Sequence, residues 1–222
     1  MKRRLIIIAT LLAAGCFSLR AQEPSGFDKF LKQIWFPTEF GIATPVGQGM
    51  NGGLLTRVSL EWRQQPQNGL CVSAHLDSRF NSYTDKLPVG TNLTDGDVQF
   101  DDIYLGVGYR KMLGERFGLA LYLHGGVSTA SYQSIVVSSY TPTSEEMSAD
   151  GVSMGPYYAF ERTSAAMPAA KLTAYWEFYI APDFCVYLTT TYTQHLTRSP
   201  FAASFGEDGS VIVSLGFNAA IF

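Results

Sequence analysis

The sequence predicts an all-β chain, eight antiparallel strands closing up-and-down into one barrel with its apolar face outward. Three observations carry this. From Trp35 onward, apolar residues recur with period two rather than 3.6. The segments that alternate number eight. The links between them alternate as well, short then long.

The first strand is read near residues 36–46. In the second, Leu54, Thr56, Val58, Leu60 and Trp62 make one face, and Leu55, Arg57, Ser59, Glu61 and Arg63 the other. The third sets Leu70, Val72, Ala74 and Leu76 against Cys71, Ser73, His75, Asp77 and Arg79. In the fourth, Ile103, Leu105, Val107 and Tyr109 oppose Asp102, Tyr104, Gly106, Gly108 and Arg110. In the fifth, Leu119, Leu121, Leu123 and Val127 oppose Ala120, Tyr122, His124 and Ser128. The sixth pairs Leu172, Ala174, Trp176, Phe178 and Ile180 with Lys171, Thr173, Tyr175, Glu177 and Tyr179. The seventh pairs Phe184, Val186, Leu188, Thr190 and Tyr192 with Cys185, Tyr187, Thr189, Thr191 and Thr193. The eighth runs over 210–222.

Short turns fall at 64–69, 114–116 and 181–183, and longer links at 47–53, 82–97, 131–166 and 195–209. An even strand count with short turns on one side and long links on the other predicts a transmembrane barrel with both termini in the periplasm. A soluble eight-stranded barrel points its apolar face inward. Here the charges share a face with Gly, Ser and Thr. The apolar face carries Trp62, Tyr109, Trp176, Phe178 and Phe184, mostly close to the short turns, as an aromatic girdle does. Charged residues are 16% of the chain, below the roughly 25% usual for soluble domains.

The front end predicts export. Lys2, Arg3 and Arg4 precede an apolar stretch over 5–14 that is too short to span a bilayer, and cleavage is expected after Ala21. LAAGC also resembles a lipobox, with Leu12 one residue too far from Cys16. Residues 22–34 are read as a periplasmic segment. Phe27, Phe30, Leu31 and Ile34 have helical spacing there behind a capping Ser25, which predicts a short amphipathic helix. The barrel is then 35–222. Removing Lys2, Arg3, Arg4 and Arg20 from the 16 cations leaves 12 against 19 acids, a balance of −7. Contact with nucleic acid is not expected of so acidic an exported chain.

Eight strands enclose a lumen that side chains fill, so no open pore is expected. Arg57, Glu61, Asp77, Arg79, Arg110, His124, Lys171 and Glu177 are candidates for a lumen network acting as a structural plug. The turn at 64–69 sets Arg57 opposite Asp77, and the last short turn sets Glu177 opposite Tyr187. Cys71 and Cys185 fall on opposite walls, too far apart for a bridge. No catalytic, cofactor or metal site is expected. His75 with Asp77, and His195 with Ser199, are fragments only. The four Asp of TDGDVQFDD (94–102) lack EF-hand spacing and read as a solvated outer loop. The link 131–166, rich in Tyr, Ser, Thr and Gly, is the candidate surface for an extracellular protein partner.

The chain ends GSVIVSLGFNAAIF. This resembles the C-terminal β-signal read by the outer-membrane assembly machinery, with Gly216, Phe217 and Phe222 matching in kind. The phase departs, since alternation puts Ile221 rather than Phe222 on the lipid face with Phe217. Either a bulge shifts the end or Phe222 is an extra residue. The pattern over 35–222 resembles the small OmpA- and OmpX-type outer-membrane barrels, which implies a structural or surface-interaction role in outer-membrane lipid. QNGL, YLGVGYRKMLGERFGL and KLTAYWEFYIAPDF resemble TraO-type barrels of conjugative transposons, which implies a part in DNA transfer. A lipid A-modifying enzyme is the remaining alternative, because such enzymes of this fold keep catalytic residues at the rim.

Overall fold

The computed structural model describes residues 30–47, 50–65, 67–83, 96–137, 158–199 and 208–220. The eight strands are β1 (Ile34–Pro45), β2 (Gly53–Arg63), β3 (Gly69–Tyr83), β4 (Gly96–Met112), β5 (Phe117–Val137), β6 (Tyr158–Ala181), β7 (Phe184–His195) and β8 (Gly209–Ala220). Every strand pairs with its sequence neighbours, and β8 pairs with β1, so the sheet closes. Closure removes both sheet edges, and with them the unpaired N–H and C=O groups that lipid cannot satisfy.

The alternation decides which side chain points where. On β2, Leu55, Arg57, Ser59, Glu61 and Arg63 are buried, while Leu54, Val58 and Leu60 are exposed. The same split runs around the wall, from Phe40 and Ile42 on β1 to Val213, Leu215 and Phe217 on β8. Leu54, Leu105 and Leu215 are each 66% exposed. Apolar exposure on every strand far exceeds the patch a soluble monomer carries. The core is the reverse of a soluble one, with Arg57, Arg63, Arg79, Arg110 and Lys171 among its largest buried side chains.

Two local features set the register. Gly69 opens β3 at φ 106°, a left-handed conformation that favours glycine. Beside it the Gln64 N–H donates to the Leu70 carbonyl (2.9 Å) and closes the turn. That turn puts Arg57 opposite Asp77. On β4, Gly106 and Gly108 leave room for rings crossing the lumen. A Cβ on Gly106 would lie 2.2 Å from His124 Cδ2, and one on Gly108 would lie 2.4 Å from Tyr122 Cδ1.

The structure corrects several expectations. Residues 131–137 and 158–166 are strand, not loop, so β5 and β6 reach 21 and 24 residues. The added end of β5 closes on three apolar residues in a row (SIVV), and that of β6 on small ones (TSAA), so neither shows the alternation that marks a strand facing lipid. Residues 96–102 likewise belong to β4. That places Asp101 on the exposed face and Asp102 on the buried one, so these two point apart; Asp95 lies outside the described residues. Ile34 begins β1, one residue before the expected start of the barrel. Phe30 and Leu31 form a single helical turn, with the Gln33 N–H donating to the Phe30 carbonyl (3.0 Å). The rest of the expected helix, the signal peptide 1–21 with Cys16, residues 138–157, and Ile221 and Phe222 lie outside the described residues.

Candidate functional site

The lumen is packed in three levels, named from the end with the short turns. In the first, Arg110 of β4 forks onto Glu177 of β6, with Nε at 2.7 Å and Nη2 at 2.6 Å. Its Nη1 donates to Glu61 of β2. Arg63 also donates to Glu61 (2.7 Å) and to the Tyr179 hydroxyl (3.1 Å), and that hydroxyl donates to Glu177 (3.1 Å). The Arg63 guanidinium lies 3.6 Å from the Trp35 ring centroid, a cation–π contact. Two arginines thus sit between two carboxylates with no charge left over. Cys71 and Cys185 are buried at this level as separate thiols.

In the second level, Arg57 bridges two carboxylates. It donates to Asp77 through Nε (2.7 Å) and Nη2 (2.9 Å), and to Glu39 of β1 through Nη1 (2.8 Å). Lys171 of β6 donates to Asp77 (3.0 Å) and to His75 Nδ1 (2.9 Å). An ammonium only donates, so His75 Nδ1 accepts, and the neutral ring carries its proton on Nε2. That proton points at His124 Nε2, 3.2 Å away, which also lies 2.9 Å from Ser73 Oγ. The Thr189 hydroxyl donates to Glu39 (2.8 Å). Again two cations meet two anions. A buried ion cluster persists only when its members are paired and hydrogen-bonded in this way.

In the third level, at the long links, Arg79 pairs with Asp102 (Nη2 to Oδ2, 2.9 Å) and its Cζ lies 4.6 Å from the Phe100 ring centroid. Beyond it, His195 at the end of β7 places Nδ1 2.9 Å from Asp208 Oδ1 and Nε2 3.2 Å from Ser128 Oγ. Ser199, the serine noted beside His195 in the sequence, is not the one its ring meets. The backbone N–H of Ser199 donates to the other oxygen of Asp208 instead. Burial pushes the Asp208 carboxyl up, but the bonds from His195 and Ser199 outweigh it and hold the group below its ordinary value.

All eight lumen candidates are buried, and each is bonded within one of these levels. Glu39, Arg63 and Asp102 belong with them and stand outside the candidate set. The signal for Glu39 was its place in phase with Trp35 and Pro37 on β1. Tyr109, Trp176 and Phe178 are exposed on the wall, while Trp62 and Phe184 are half-buried. Trp62 Nε1 donates to Gln33 (3.1 Å), and Phe184 stacks on Phe217 at 6.5 Å. Gly216 sits where a Cβ would lie 2.6 Å from the Tyr187 ring. Among the described residues no group of three or more His, Cys, Asp or Glu could hold a metal ion.

No family model matches the chain, and no curated protein matches it. Solved structures do. Neisserial surface protein A superposes with a TM-score of 0.52 at 12% identity, over 85% of this chain and 97% of that one. A major outer membrane protein from Thermus thermophilus gives 0.48 at 14% identity, over 84% and 98%. Ail, the attachment invasion locus protein of Yersinia pestis, gives 0.43 at 14% identity, over 84% and 98%. At such identities the likeness is one of fold. The closed register and the outward apolar wall give this chain the same fold as Neisserial surface protein A, a closed eight-stranded barrel.

Proposed function

We propose that this chain is an integral outer-membrane protein that presents a protein-binding ribbon at the cell surface on a rigid, plugged barrel. The observation that carries the reading is the mismatch between wall and hairpin. The β4–β5 register ends at Gln99↔Ser131, and the β6–β7 register ends at Ala169↔His195. The β5–β6 register continues to Val137↔Tyr158. At about 3.3 Å per residue, the hairpin extends about 20 Å past the last β4 rung. No other described strand pairs with it there. A two-stranded ribbon with open edges suits an extended segment of another protein, which adds as a further strand.

The ion levels below serve rigidity rather than transport, because charge-paired side chains fill the lumen from wall to wall. On this reading the long links face outward, the short turns and both termini face the periplasm, and β8 is the strand offered to the assembly machinery. The test replaces residues 132–163 with a two-residue turn closing the Ser131↔Ser164 rung. The shortened protein should still fold into a barrel whose gel band shifts on heating, while adhesion of intact cells to extracellular protein falls to the level of a deletion strain. Unchanged adhesion would remove the ribbon from the function.

A further inference from the structure

Ser128, His195 and Asp208 come from β5, the end of β7 and the residue before β8, and nothing in the ion network requires them to meet. They meet through particular atoms. Asp208 faces Nδ1 (2.9 Å) and Ser128 faces Nε2 (3.2 Å). An ionised carboxylate only accepts, so the neutral ring keeps its proton on Nδ1 and leaves Nε2 as the acceptor for the Ser128 hydroxyl. The second oxygen of Asp208 is fixed by the Ser199 N–H. The imidazole is stacked on Phe100 at 5.7 Å and 26°. Base and orienting carboxylate are both held in place, which is the geometric signature of an activated serine.

We propose that Ser128 and His195 are the catalytic residues, and Asp208 the positioning residue, of an acyl-transfer site that takes small uncharged carboxylic esters. The surroundings set the substrate class. Phe100 belongs to an apolar cluster with Tyr83, Val98, Ala130, Tyr132 and Met167. Met167 pairs across the wall with Ser128. Val98 and Tyr132 reach from this cluster to a neighbouring cavity of about 410 Å³, whose wall also carries Asp97 and Arg162. Arg79 and Asp102, next to the cluster, are paired with each other, and Asp208 is held by His195 and Ser199. Apolar walls and cancelled charge suit an ester rather than an ion. Ser128 is fully buried, so the apolar side chains must part to admit the ester, which favours a small acyl group over a long one.

The chemistry balances without a cofactor. Ser128 Oγ bonds to the ester carbonyl carbon while its proton passes to His195 Nε2. The carbon–alkoxy bond then breaks, and the leaving oxygen takes that proton. Water attacks the acyl-serine with His195 as base, releasing the acid and restoring Ser128. Asp102 Oδ1 pairs on the rung beside Ser128 and accepts no hydrogen bond among the described residues, so it is available to orient that water.

The test treats the purified full-length chain, folded in detergent, with diisopropyl fluorophosphate and maps the adduct by peptide mass spectrometry. One adduct on Ser128 is expected, together with slow release of nitrophenol from p-nitrophenyl acetate. Both should vanish in Ser128→Ala and His195→Ala and persist in Ser78→Ala, a serine of β3 that bonds Asp101 away from the site. Asp208→Asn keeps the shape of the side chain and should lower the labelling rate by more than tenfold, while Asp208→Glu recovers part of it. A merely structural Asp208 would let both variants label alike. An unlabelled folded protein, an adduct elsewhere, or labelling that survives His195→Ala would overturn the proposal. Mapping on the unaltered chain decides the matter even if a variant fails to fold.

Discussion

The two lower levels of the lumen and the cluster at the long-link end are both buried and polar, yet they are held in different ways. The lower levels are built from side chains inside strands, cross-linked by charge-assisted bonds from Arg57, Arg63, Arg110 and Lys171. Their geometry follows from the register of the wall. The upper cluster hangs on His195 and Asp208, where β7 and β8 meet a link, and has one charged partner rather than several. The first arrangement resists change as a unit. The second sits at the ends of β7 and β8, where the His195 backbone N–H also donates to the Asp208 carbonyl (3.1 Å).

The largest effect that would sharpen this contrast is Arg110→Leu. It leaves Glu61 and Glu177 buried with one guanidinium between them, and breaking such a pair costs about 3–5 kcal/mol. The temperature at which the folded gel band converts to the unfolded one should fall steeply. Next, Asp77→Leu alone should destabilise the barrel far more per charge removed than Arg57→Leu with Asp77→Leu, since the double variant removes opposite charges together. Additive losses in that double-mutant cycle would break the account of the second level as a coupled unit. His195→Ala should cost about 1–3 kcal/mol at most and lower the heat-shift temperature of the barrel by less than Arg110→Leu does.

The smallest effect is a pH step at the upper cluster. Asp208 is held below its ordinary carboxylate value. Its anchoring is therefore fully present above about pH 4 and fades as the pH falls through the depressed value. Cutting by pepsin between residues 196 and 208 should accelerate at the acid end in the unaltered protein and show no such step in Asp208→Asn. An equal step in both would detach the effect from that carboxyl.

The contrast also marks how far the sequence could be read. Strand number, order and facing were legible because period two survives across eight segments and each short turn hands its register to the next strand. Arg57 opposite Asp77 and Glu177 opposite Tyr187 follow from turn length alone and are found on those rungs. The length of β5 and β6 was not legible. SAAMPAA and its neighbours alternate between small residues, and small residues show no facing. Glu39 was missed because β1 was placed without reading its phase. The His195–Asp208–Ser128 arrangement was out of reach for another reason. Its members lie far apart in the chain and meet only through the stacked registers of β5 to β8, and the Ser nearest to His195 in the chain, Ser199, is not the one its ring meets.

The central claim is a closed barrel that wears its apolar face outward. The direct measurement is an SDS gel of the outer-membrane fraction, with and without boiling. The account predicts that the protein is in that fraction and that its band moves on heating, as a lipid-stable barrel opens. Recovery in the soluble fraction with no shift would contradict it and reverse the inside and outside of the wall.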